Sequence, residues 1–134
     1  RAGRAIRSCR RRSRTIRAPE TNGVKTQIKE TKMIHVIAVI TAKPGRRESI
    51  LSLFRANVPA VRAEKGCIEY GAAVDAENAL PFQTKWGPDT FLVVEKWESM
   101  DALKAHAAAP HMAAYGAKAK EFIASRVIHI LQPA

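Results

Sequence analysis

Residues Ile34–Thr41 (IHVIAVIT) are apolar at nearly every position. Alternate side chains of an extended chain face opposite ways. Ile34, Val36, Ala38 and Ile40 therefore form one face of a predicted strand, and His35, Ile37 and Val39 form the other. Lys43-Pro44-Gly45 ends it. From Arg46 the period changes to 3.6, which places Ile50, Phe54, Val58 and Val61, helped by Leu51, on one helical face. Pro59 is expected to kink this helix because it lacks an N–H and crowds the carbonyl of Arg55. Lys65-Gly66 closes the helix, and Cys67–Val74 predicts a second strand.

A polar turn follows at Asp75–Asn78, then a short edge strand is expected over Pro81–Trp86 before Gly87-Pro88-Asp89. Phe91–Trp97 predicts a third strand. Ser99 is placed to cap a short helix, with Asp101 favoured in its first turn by the dipole. Pro110 restarts the helix at its first position, and Met112, Tyr115, Ala119, Phe122 and Ile123 mark a buried stripe. Arg126–Gln132 (RVIHILQ) predicts the last strand.

The resulting order, βαβ(β)βααβ, segregates helices from strands and contains no internal repeat. It fits an α+β ferredoxin-like sandwich, an antiparallel sheet with helices on one face. The first, third and last strands are apolar on both faces, although helices on one side cover only one of them. The exposed face implies a homodimer whose sheets pack face to face.

Charge first suggests a different partner. The 134-residue chain carries 23 Lys and Arg against 12 Asp and Glu, a formal +11. Residues 1–32 hold 11 basic and 2 acidic side chains, whereas residues 33–134 hold 12 and 10. The basic excess thus belongs to a leader without aromatic residues or an apolar stripe, expected to be disordered. The readings for residues 1–32 are added or upstream sequence, favoured because Met33 directly precedes the first strand, over a transit peptide or a nucleic-acid-binding arm. The domain at 33–134, at net +2, has no charge reason to bind nucleic acid. No apolar run approaches the roughly 20 residues that span a bilayer. Two cysteines, Cys9 and Cys67, make no disulfide framework, and a reducing cytoplasm suits that count.

Phosphate-binding glycine loops, dinucleotide fingerprints, His-Glu-x-x-His, paired-cysteine zinc patterns and Gly-x-Ser-x-Gly are all missing. An enzyme of this sequence is expected to need no nucleotide cofactor and no metal. His35 and His129 lie in apolar strands, where a structural or interface role is the default. His106 stands at the edge of a helical face formed by Met100, Leu103 and Ala107, roughly 60° from Leu103 by helical geometry. The proline between His106 and His111 argues against a shared metal site. Glu95 lies on one strand face with Phe91, Val93 and Trp97, and a carboxylate there is costly unless paired, exposed or functional. Asn57 shares the inner helical face with Phe54 and Val61. Tyr70, Phe82, Met112 and Tyr115 are candidates to line an apolar pocket with polar tips, suited to a flat aromatic ligand.

The segments HVIAVITAKPG, EKGCIEY, PFQ, PDTFLVVEKWESMDALKAH, PHMAAY and ILQP resemble the bacterial quinol monooxygenases of the antibiotic biosynthesis monooxygenase superfamily. The similarity runs through residues 33–134. Its most specific part is Trp97-Glu98-Ser99 with Leu103 and His106, then Pro110-His111-Met112. The resemblance implies a dimeric α/β barrel of two ferredoxin-like subunits. It also implies oxidation of a quinol or related polycyclic phenol by O2, without flavin, haem or metal. His106 matches the helix histidine, the candidate base, and Trp97 the strand-end tryptophan that walls the pocket. Tyr70 and Phe82 would add to the wall, with Asn57 and Glu95 as polar candidates and Met112 and Tyr115 alongside. Haem-degrading relatives carry an asparagine on the first strand, absent from residues 34–41, and a sugar-phosphate branch would want a cationic cluster beyond Arg46-Arg47. The alternative from another class is a non-catalytic stress-response dimer that only binds an aromatic compound.

Overall fold

The computed structural model describes residues 32–134. The expectations for the leader fall outside the described residues, apart from Lys32. The order is β1 (Ile34–Ala42), α1 (Arg47–Arg62), β2 (Cys67–Ala73), β3 (Thr90–Trp97), α2 (Met100–Ala107), α3 (Pro110–Ala119), a 3-10 turn (Lys120–Phe122) and β4 (Ile123–Leu131). The strands form one sheet in the order β2-β3-β1-β4, with every pairing antiparallel. This is the ferredoxin-like arrangement expected from the sequence. Among the described residues no helix is long and apolar enough to cross a membrane.

Register shows why β1 and β3 are apolar throughout. They are the two central strands, and Ile34 faces Trp97, Val36 faces Glu95, Ala38 faces Val93 and Ile40 faces Phe91. All eight of these residues are buried beneath the helices. Ile50, Leu51, Phe54 and Val61 complete that core from α1, as the helical period predicts. On the opposite sheet face, Ile37 pairs with Val94 and His129, and Val39 pairs with Leu92 and Val127. His35 lies beside Lys96 and Leu131 on that same face. Val127 and Leu131 remain about half exposed, at 50% and 46%.

Several local expectations change. Pro81–Trp86 forms no strand. Asp75 instead accepts hydrogen bonds from the amides of Trp86 at 2.9 Å and Gly87 at 2.8 Å, so the chain curls back on itself. Those bonds occupy amides that a strand ladder would use. α1 ends at Arg62, three residues before the expected Lys65-Gly66 stop, with Pro59 inside its last turn. β4 begins at Ile123, earlier than its apolar run suggests, since Ile123 already pairs with Ala42. Ser99 does cap α2, its Oγ accepting from the amide of Ala102 at 3.2 Å, and Pro110 opens α3.

The α1–β2 turn is fixed against α2. Gly66 has φ +85°, and a Cβ there would lie 2.6 Å from the Cβ of Ala102. The Gly66 carbonyl also accepts from the amide of Glu98 at 2.8 Å. Gly66→Ala is therefore expected to cost about 1–3 kcal/mol from backbone strain, with the clash adding to it. Urea denaturation measures the loss, and an unchanged midpoint would show that this turn is not constrained.

Candidate active site

Alternation along β3 points Phe91, Val93, Glu95 and Trp97 into the helix-covered side, all of them buried. The Trp97 indole N–H donates to Glu95 Oε2 at 2.8 Å, a hydrogen bond buried in the core. Tyr70 sits beside Glu95 in the β2–β3 register, and its ring stacks on Phe54 with centroids 5.1 Å apart. His106 comes down from α2 onto these rings, 4.6 Å from Trp97 and 5.5 Å from Tyr70.

His106 is only 4% exposed. It lies at the centre of the buried face of α2 beside Leu103, whereas Met100 and Ala107 turn outward. The helix is rotated from the sequence-based expectation, which turns the ring of His106 onto aromatic partners on the sheet and leaves Met100 exposed. Its Nδ1 lies 2.9 Å from Glu64 Oε2. The other oxygen of Glu64 meets Nε2 of His111 at 2.5 Å. The two imidazoles, with centroids 6.5 Å apart, thus share one carboxylate. Sequence reasoning missed this grouping. It treated Pro110 as a separator, whereas the break between α2 and α3 brings His111 back toward α1, and no spacing connects residue 64 with residue 106.

The other candidates divide. Asn57 donates from Nδ2 to the thioether of Met112 at 3.3 Å, joining α1 to α3. Tyr115 meets Phe54 edge-on at 6.3 Å. These three residues form a half-buried layer next to the ring cluster. Phe82 does not join it, being 82% exposed in the β2–β3 loop. The cluster of Phe54, Tyr70, Trp97 and His106 is filled by its own side chains. A groove of about 330 Å³ opens beside it, lined by Glu64, Lys65 and His111 with alanines of α1, α2 and the α2–α3 link. A second hollow of about 390 Å³ runs between α1 and β2, past Arg55 and Arg62. Among the described residues, no group of three or more His, Cys, Asp or Glu is arranged to hold a metal ion.

Electrostatics sorts the protonatable groups. Burial, with Glu95 nearby, pushes the Tyr70 phenol far above its ordinary value, and burial also raises Tyr115. Burial and the charges of Glu64 and Glu95 raise the Cys67 thiol. All three stay protonated at neutral pH, so none is an available base. Glu95 is raised by burial against the opposing pull of the Trp97 N–H and His106.

The Glu95 shift makes stability depend on pH. A carboxyl raised in the folded state contributes stability that is present below its unfolded value and lost as pH rises through the folded value. Glu95→Gln keeps an oxygen for the Trp97 N–H and removes the titration. The variant should gain stability relative to wild type as pH rises from 4 to 8, measured by urea denaturation at each pH. A pH-independent difference would contradict the shift.

Comparison with known proteins places the fold. The family description "Antibiotic biosynthesis monooxygenase" matches residues 33–118. The protein named "Probable quinol monooxygenase YgiN" of Escherichia coli is 40% identical over 103 residues, spanning 75% of this chain and 98% of its own. YcnE of Bacillus subtilis is 32% identical over 93 residues, spanning 69% and 88%. The crystal structure of PA3566 from Pseudomonas aeruginosa superposes with a TM-score of 0.64 at 26% identity, covering 78% of this chain and 97% of that one. The family match over residues 33–118 and the 40% identity over 103 residues lead to one conclusion: the chain belongs to the antibiotic biosynthesis monooxygenase family.

Proposed function

We propose that the protein oxidises a quinol or related polycyclic phenol with O2, using no flavin, haem or metal, with His106 as the base. The observation that carries this reading is a buried imidazole packed between Trp97 and Tyr70, with one nitrogen on Glu64. The relative named as a quinol monooxygenase supports the substrate class. A deprotonated hydroquinone is itself a strong reductant, so it supplies the electrons that a cofactor otherwise provides. The protein's task is then to hold the ring, accept the phenolic proton and exclude water. Tyr70, Tyr115 and Cys67 are held protonated by burial, which leaves His106 to accept that proton.

Trp97 and Tyr70 offer aromatic faces to a flat substrate, and Met112 and Tyr115 supply adaptable apolar contact. Substrate enters by displacing part of this packing. The N–H···S contact of Asn57 with Met112 is a weak lock between α1 and α3, since a thioether is a weak acceptor. Phe82 takes no part within a single chain. A reducing cytoplasm is the setting proposed for this chemistry, as it suits the unpaired Cys67 thiol.

The uncovered sheet face is proposed to pack on the same face of a second copy. Ile37, Val39, Leu92, Val94, Val127 and Leu131 share it, with no helix over them. Such an apolar two-fold surface is self-complementary.

Two measurements test these proposals. His106→Ala should lower oxygen consumption with anaerobically prepared menadiol by ~10²-fold at neutral pH, after autoxidation is subtracted. Unchanged turnover removes His106 from the mechanism, and an inert wild type that is stabilised by quinone is a binder instead. In sedimentation at micromolar concentration the wild type should be a dimer and Val127→Glu should shift it toward monomer. A wild-type monomer rejects the sheet interface.

A further inference from the structure

We propose that Glu64 is the positioning residue of this site and that His111 anchors it. Glu64 holds His106 as the Nδ1–H tautomer, so that Nε2 meets the substrate with a free lone pair. The inference rests on the reading of His106 as the base.

A neutral imidazole donates from one nitrogen and accepts at the other, and its partner decides which. An ionised carboxylate only accepts. With Glu64 Oε2 2.9 Å from Nδ1, the proton of His106 belongs on Nδ1. Glu95 is the other carboxylate near the ring, but its Oε2 is committed to the Trp97 indole. Tyr70 and Cys67 face the cluster from β2 as protonated groups, and Arg62 at the end of α1 is turned to the Tyr70 carbonyl. Among the described residues, Glu64 is the group hydrogen-bonded to a ring nitrogen of His106, and it fixes the tautomer.

Glu64 lies beyond the end of α1, in the turn before Gly66, and its side chain is 18% exposed. A carboxylate at the lip of a groove would ordinarily swing into water. His111 prevents this by occupying Oε1, so both oxygens are engaged and rotation of the carboxylate breaks a bond on each side. His111 donates from Nε2, and its buried Nδ1 has no partner among the described residues, so this bond is the one that orients the ring.

In the proton-transfer step the phenolic O–H bond breaks and leaves its electron pair on oxygen. A new N–H bond forms from the lone pair of Nε2. The imidazolium charge then lies against the Glu64 carboxylate, while the Nδ1 proton stays on nitrogen. No oxidant enters this step. O2 acts afterwards on the phenolate.

The test uses the full chain with 15N-labelled histidine. NMR of the wild type at neutral pH should report His106 protonated at Nδ1 and bare at Nε2. Glu64→Gln, which retains one acceptor oxygen but cannot accept from both rings, should mix the tautomers. It should also lower kcat with menadiol by about 10- to 100-fold, with KM little changed. His111→Gln keeps an N–H donor and should retain most of kcat, whereas His111→Leu should lose it. A wild-type Nε2–H tautomer, or Glu64→Gln with tautomer and kcat both unchanged, overturns the proposal. If His106→Ala leaves turnover intact, the catalytic reading fails, while the wild-type spectrum still decides the tautomer assignment by itself.

Discussion

At Gly66 the chain passes so close to α2 that no side chain fits. The residue has φ +85°, and a Cβ would sit 2.6 Å from that of Ala102. The Gly66 carbonyl is tied to the Glu98 amide, at the junction of β3 and α2. This one contact sets where α1 ends relative to α2, and it delivers Glu64 to His106. It also sets the start of β2, where Cys67 comes opposite Trp97 before the bulge that brings Tyr70 opposite Glu95. The site depends on a left-handed turn two residues away from its carboxylate.

Burial then sets the site's chemistry. Glu95 and His106 are 7% and 4% exposed, surrounded by rings. Polar groups in such a setting cost several kcal/mol unless paired, and each has a partner: Trp97 for Glu95, Glu64 for His106. The same desolvation raises Tyr70 and Tyr115, so both phenols stay protonated at neutral pH, and it raises Glu95 as well. Packing and the protonation of the site's groups are therefore two consequences of one arrangement.

The sheet divides the molecule into a helix-covered side, which holds the proposed site, and a bare side, which carries the proposed interface. β1 makes this plain, with Val36 and Ala38 beneath the helices and Ile37 and Val39 on the bare face. Since side chains alternate, a strand whose two faces are both covered is apolar along most of its length. The run IHVIAVIT has that character: one face is buried here, and the other is half-covered in the single chain.

Much of the fold was legible in the sequence because it rests on local periods. The 3.6 repeat of Ile50, Phe54 and Val61, the cap at Ser99 and the restart at Pro110 act within a few residues of themselves. Part of the site was legible as well, through the alternation that puts Glu95 and Trp97 on one face and through the resemblance at His106. The edge strand over Pro81–Trp86 was misread because Asp75, beyond the local window, takes up its amides. Glu64 and His111 were hidden for a stronger reason. They meet His106 and each other across 42 and 47 residues, through a turn and a helix break whose directions no periodicity encodes. The sequence by itself determined the elements, their order and the two apolar sheet faces, since those follow from short-range pattern. Only the tertiary structure decided which carboxylate holds the histidine, because that choice belongs to the packing of α1 on α2 and α3.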